Sequence, residues 1–143
     1  MKTIRLLLTV ALVIPFLSCN SQSPKNEIKA APASSDKVEA YYFHFTARCT
    51  TCRTIEAKAK ENLEILYPNQ VKQGLITFQS LNLEEAANKP LAEKLGVSGQ
   101  ALLLVKGDQK INLTNEGFMY AVAKPEKFRE IINEKVDGLL VSK

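Results

Sequence analysis

The tetrapeptide Cys49-Thr50-Thr51-Cys52 falls where a strand-like text gives way to a helix-like one. Upstream, Val38-Glu39-Ala40-Tyr41-Tyr42-Phe43-His44-Phe45 is aromatic and β-rich, the composition of a buried or half-buried strand. Past Cys52, Ile55, Ala59, Leu63 and Leu66 recur at the spacing of one helical face. A cysteine pair at such a corner puts its first sulfur at a helix N-terminus. Unpaired backbone N–H groups and the positive end of the dipole favour thiolate over thiol there. The spacing therefore predicts Cys49 as an exposed nucleophile. Cys52 is the resolving thiol one turn further in, because residues three apart share a helix face.

Arg48 and Arg53 bracket the pair. Cations in a first helical turn oppose the dipole at a cost of ~0.3–1 kcal/mol each, and such broken local rules gather at functional sites. Both arginines are read as thiolate-stabilising; the plainer reading turns them to water or pairs them with Glu56. Thr50 and Thr51 place two β-branched hydroxyl residues between the sulfurs. Their hydroxyls can donate to sulfur, and the branching stiffens the turn. His44 could join Cys49 and Cys52 as a third ligand for Zn or Cu, with a fourth ligand missing; the other reading is a packed strand residue. A c-type haem is excluded, because Arg53 stands where its histidine would follow the second cysteine.

The chain of 143 residues divides into three expected segments. Residues 1–18 read as an export signal, with Lys2 and Arg5 ahead of a run from Leu6 to Leu17 that is apolar apart from Thr9. The run is shorter than the ~20 residues a membrane-spanning helix needs. Cys19 follows Phe16-Leu17-Ser18, a pattern that resembles a bacterial lipobox and implies cleavage before Cys19 and its acylation. Residues 19–37 form a lipidated tether that is polar, carries Pro24 and Pro32, and spans about 23 Å as a flexible coil. Residues 38–143 form the folded domain. Losing residues 1–18 leaves 17 Lys and Arg against 15 Asp and Glu, so the formal charge drops from +4 to +2. No block of basic residues in the domain points to nucleic acid.

Within the domain, Tyr67-Pro68-Asn69-Gln70 reads as a turn, and Leu75 to Leu83 alternates as a second strand. Asn88 to Gly96 reads as a short helix with Pro90 in its first turn and Gly96 just past its end. Leu102-Leu103-Leu104-Val105 is a buried strand, Gly107-Asp108 a turn, and Gln109 to Thr114 an edge strand. A helix from about Pro125 closes the chain, its stripe formed by Phe128, Ile131, Ile132, Lys135 and Val136. The order is β-α-β-α-β-β-α.

That order, with a Cys-x-x-Cys after the first strand, resembles the thioredoxin-like fold across residues 38–138. The resemblance implies an α/β domain with a central mixed four-stranded sheet flanked by helices. Gly96-Val97-Ser98-Gly99 before the apolar strand is similar to the family's Gly-Val-x-Gly-x-Pro-Thr segment, with Gln100-Ala101 at the position of the family's cis-proline. Counting six residues back from Cys49 puts Phe43 where the family carries a buried acid, and Ser80 where it carries a lysine partner. The stretch Tyr41-Tyr42-Phe43-His44-Phe45, with Arg48-Cys49, Cys52-Arg53-Thr54-Ile55-Glu56-Ala57, also resembles small thioredoxin-like nitrophenyl-compound nitroreductase subunits of the ArsF type.

These readings imply a thiol–disulfide oxidoreductase, or the redox subunit of a reductase. It is expected to be lipid-anchored in the bacterial cell envelope, facing the periplasm, with the outer membrane preferred because Asn20 follows Cys19. Its redox centre is the disulfide, so no dissociable cofactor is expected. Its partners are envelope redox proteins, and it works as a monomer or as a subunit of a reductase complex. The alternatives are delivery of Cu(I) or As(III) on the same thiolates, and a non-catalytic scaffold with an inert Cys49–Cys52 bridge.

Overall fold

The aromatic strand ahead of the cysteines is an inner strand of the sheet, with a neighbour on each side. In the computed structural model, which describes residues 36–142, it forms β1 (Val38–His44). The signal segment, Cys19 and all but the end of the tether lie outside the described residues. β1 pairs in parallel with β2 (Ile76–Asn82), Val38 opposite Ile76 and His44 opposite Asn82. On its other side it pairs antiparallel with β3 (Ala101–Lys106), which carries β4 (Gln109–Asn112) across the Gly107-Asp108 turn. The strand order is β2-β1-β3-β4, a mixed four-stranded sheet.

Both faces of β1 are covered, which is why its side chains are apolar without a clean polar alternation. On one face Val38, Ala40 and Tyr42 join Ile55, Ala59 and Leu63 of α1 (Thr50–Leu66) and Phe128, Ile132, Val136 and Leu139 of α5 (Pro125–Val141). On the other, Tyr41 and Phe43 pack with Leu81, Leu103 and residues Ala92 and Leu95 at α3 (Lys89–Lys94). The sheet therefore has a thick helical layer on the α1 side and a thin one on the α3 side. No helix among the described residues is long and apolar enough to cross a membrane.

The expected elements form, with three differences. The stretch read as a turn at Tyr67 to Gln70 is instead the start of α2 (Pro68–Lys72). Pro68 sits in its first turn, where a missing N–H costs nothing. The edge strand stops at Asn112, because Thr114 leaves the ladder to cap the strand opening: its Oγ1 accepts the N–H of Leu102 at 2.9 Å. An unanticipated helix, α4 (Thr114–Tyr120), then crosses to α1. Its Gly117 lies so close to α1 that an added Cβ would fall 2.9 Å from Cγ2 of Ile55. The short helix α3 follows a turn of tighter helix at Ala86–Asn88 and ends before Gly96, whose φ of +67° suits a glycine past a helix end. At the far end of the molecule, Lys106 Nζ donates to the carbonyls of Leu139 and Ser142 at 2.7 and 2.6 Å, closing the C-terminus of α5.

Candidate active site

Cys49 is the N-cap of α1. Its backbone is extended (φ −74°, ψ 167°), and its Sγ accepts the N–H of Cys52 at 3.3 Å. Ser, Thr, Asp or Asn usually fills this position, because a side-chain acceptor satisfies one of the orphan N–H groups of the first turn. Here a sulfur takes that role, and no acidic residue in the first turn competes for the positive helix end. Cys49 is exposed, Cys52 is buried, and both are free thiols. The pair thus presents one sulfur to solvent and keeps the other behind it, in contact with the first.

Tyr42 and, through it, Gln100 reach the inner cysteine from outside the motif, with an ion pair close by. Tyr42 of β1 donates its hydroxyl to the backbone carbonyl of Cys52 at 2.7 Å. Gln100, just ahead of β3, donates an amide N–H to the Tyr42 hydroxyl. Glu56 lies one helical turn past Cys52 and pairs with Arg48 across the start of α1, each side chain being nearly four-fifths buried. Burial pushes the Cys52 thiol up. Hydrogen bonds from Cys49, from Gln100 and from backbone N–H groups outweigh that and hold it below the ordinary thiol value. Burial, with Cys52 and Glu56 nearby, raises Tyr42 well above the ordinary phenol range. Its hydroxyl keeps its proton and serves as a fixed donor.

The sequence placed thiolate character on the outer sulfur through the helix dipole and the arginines, and the inner thiol is lowered as well, by hydrogen bonds around it. Arg48 is committed to Glu56, so its charge is largely neutralised within the pair. Arg53 is exposed and makes no ion pair among the described residues. Thr50 is exposed, with its carbonyl accepting Thr54 Oγ1 at 3.1 Å, and Thr51 is half-buried. Ala101 is buried and opens β3 opposite Phe43, so of the two residues in that loop it is Gln100 that reaches Tyr42 and, through it, the Cys52 carbonyl. His44 places Nδ1 2.9 Å from the carbonyl of Phe45 and packs its ring 6.1 Å from that of Tyr42. No three His, Cys, Asp or Glu side chains among the described residues gather as a metal-holding set.

Phe43, six residues back from Cys49 and at the position of the family's buried acid, faces the α3 side, and Tyr42, seven residues back, faces α1. The loop between strand and helix decides this. Thr46 is tied down there by its N–H to Glu84 at 2.8 Å and by the amide of Asn82 to its hydroxyl at 2.8 Å. One signal for Tyr42 was available in the sequence: a tyrosine inside a buried strand needs a partner for its hydroxyl.

Against known proteins, a solved structure of thioredoxin O2 from Arabidopsis thaliana in the oxidized state superposes with a TM-score of 0.50. The two share 20% identity over 72% of this chain and 78% of that one. The fold is thioredoxin-like. A second solved structure, described as a malarial protein, covers 62% of this chain and 96% of that chain at 16% identity and a TM-score of 0.40. No protein-family model matches the chain. No curated protein matches it either. A thioredoxin-like domain with two thiols close together at the start of a helix has the parts that thiol–disulfide exchange requires: a reachable sulfur and a second one positioned to displace whatever the first has bound.

Proposed function

We propose that this protein is a thiol–disulfide oxidoreductase, or the redox subunit of a reductase, working on partner proteins of the bacterial cell envelope. The observation that carries the reading is the N-cap geometry: an exposed Cys49 sulfur with the N–H of a buried Cys52 on it. Cys49 attacks a partner disulfide, giving a mixed disulfide and releasing one partner thiolate. Cys52 then attacks the Cys49 sulfur. The Cys49–Cys52 bond forms, the bond to the partner breaks, and the second partner thiolate leaves. Two electrons pass from the dithiol to the partner, and the displaced thiolates take up the protons. The reverse sequence oxidises a partner dithiol.

Cys52→Ser should trap partners as mixed disulfides on Cys49, while Cys49→Ser traps none. Cells expressing Cys52→Ser that yield no covalent partner adduct would overturn the reading. The lipobox-like Cys19 adds a membrane anchor, placing the domain at an envelope membrane facing the periplasm. Partition of the full chain into detergent, abolished by Cys19→Ala, is the expected result; equal partition of both forms removes the anchor from the proposal. The likeness to ArsF-type nitroreductase subunits gives the exchange reading a place as an electron-passing subunit of a larger reductase, and co-purification of such a reductase with the Cys52→Ser trap is the corresponding test.

One observation favours a second reading, carriage of Cu(I) or trivalent arsenic. The two free thiols lie together, and no proline stands between Pro90 and Pro125 to keep soft ions from them. Stoichiometric Cu(I) binding by the reduced protein, lost in either cysteine variant, would support it.

A further inference from the structure

We propose that Tyr42 and Gln100 are positioning residues for the resolving cysteine: together they hold Cys52 in the orientation from which it displaces a bound partner. The inference rests on the exchange reading above and goes past it, to what sets the rate of the second half-reaction.

The geometry is a chain of donors. Gln100 donates an amide N–H to the Tyr42 hydroxyl, and its carboxamide is among the groups that lower the Cys52 thiol. The Tyr42 hydroxyl, having accepted from Gln100, spends its own proton on the Cys52 carbonyl at 2.7 Å. The Cys52 N–H is taken by Cys49 Sγ at 3.3 Å. The backbone of the inner cysteine is thus held at its carbonyl and its N–H, from β1 below and, through Tyr42, from the entry to β3 beside it. The strands bring these parts together: β1 and β3 pair antiparallel with Tyr42 opposite Leu102, two residues past Gln100. Tyr42 is 1% exposed, so its hydroxyl has no access to solvent as an alternative partner.

This arrangement has a chemical consequence. During resolution Cys52 must carry negative charge while buried, and an unassisted buried thiol resists ionising. The Gln100 carboxamide favours that charge without introducing a competing one. The tyrosine fixes that carboxamide and the turn of helix that carries the sulfur. Phe43, facing the α3 side, and the exposed Ser80 supply neither an acid nor a base here. The donors that Tyr42 and Gln100 supply are neutral, and the charges nearest this turn, Arg48 and Glu56, are paired with each other; the pair of donors acts by stabilising the thiolate rather than by removing its proton.

The test uses the reduced domain-containing full chain with dithiobis-nitrobenzoate, whose thiolate is coloured. Attack by Cys49 releases one coloured thiolate and resolution by Cys52 releases a second, so the two steps are read separately in stopped flow. Tyr42→Phe and Gln100→Met are each expected to slow the second release by about tenfold or more while leaving the first within about twofold. Each should also move the pH midpoint of the second step upward, a shift that general loosening of the fold would not produce. Gln100→Met lies at a half-buried loop position and keeps the variant set informative if Tyr42→Phe folds poorly. Second-step rates and pH midpoints in both variants equal to those of the unsubstituted protein would overturn the inference alone. Absence of any second release from the unsubstituted protein would overturn the exchange reading, and this inference with it.

Discussion

At the first turn of α1, Cys52 meets a tyrosine hydroxyl that is itself held by a carboxamide, and an Arg48–Glu56 pair spans the start of the helix. In the turns that follow, Ile55, Ala59 and Leu63 lie in the apolar cluster with Phe128, Ile132 and Val136 of α5. One helix thus has a polar, satisfied and partly exposed end joined to a close-packed body. The contrast teaches that the two ends answer to different perturbations. Charge and hydrogen bonding govern the reactive turn, and volume governs the rest.

The sharpest way to break that separation is Cys49→Ser. Exchange should be lost altogether in the coloured-disulfide assay. Stability in urea should change by less than about 1 kcal/mol, because serine is itself a preferred N-cap residue. A large loss of stability would show that the sulfur also holds the fold. The converse substitution is Ile55→Ala, in the body of the helix. It should cost about 2–5 kcal/mol in urea unfolding, with exchange by the folded fraction preserved.

Gly117→Ala probes the same contact from the α4 side. The new methyl would meet Ile55 Cγ2 at 2.9 Å, so about 1–3 kcal/mol of destabilisation is expected. Combined with Ile55→Ala, which removes the obstructing methyl, it should cost less than the sum of the two single changes. Strict additivity would mean that α4 shifts away rather than pressing on Ile55.

The smallest effect belongs to pH. Cys52 in the folded, reduced protein is held below its ordinary thiol value by hydrogen bonds from Cys49, Gln100 and the backbone. In the window between that lowered value and the ordinary one, the unfolded chain binds more protons than the folded chain. Stability of the reduced protein therefore rises with pH across this window, is full above it, and is lost as pH falls through the folded value. Urea midpoints measured across the window should show this slope in the reduced protein and lose it in Cys52→Ala. A slope that survives the substitution would belong to another group.

How far the sequence alone carried the structure differs between elements for physical reasons. The α1 stripe was legible because its large side chains point inward, so periodicity and burial agree. α3 was legible from its punctuation, Pro90 in the first turn and Gly96 past the end. Helix α4 was not, because it buries only Gly117, with Ala121 just past its end, while Phe118 and Met119, and Val122 beyond them, are exposed. The apolar pattern there has the wrong phase for a core-facing helix, and a glycine in its interior argues against helix. Pro68 was ambiguous in another way, since the same residue opens a turn or a helix. At the site, both cysteines were found from spacing, whereas Glu56 was recognised only as a possible partner of an arginine. Tyr42 was passed over because one residue of loop length separates the count to Phe43 from the face that meets α1.

By itself the sequence determined where a strand stops, where a helix starts, and that a sulfur stands at the junction. Those features depend on neighbours a few residues apart, and local periodicity encodes them. What surrounds the inner sulfur was decided only by tertiary structure. Tyr42 and Gln100 are 58 positions apart, and they meet because β1 and β3 pair in one register and the loop at Thr46 has one length. Register and loop length set which face a side chain takes. A shift of one residue in either would have left the same motif with a different residue beneath it.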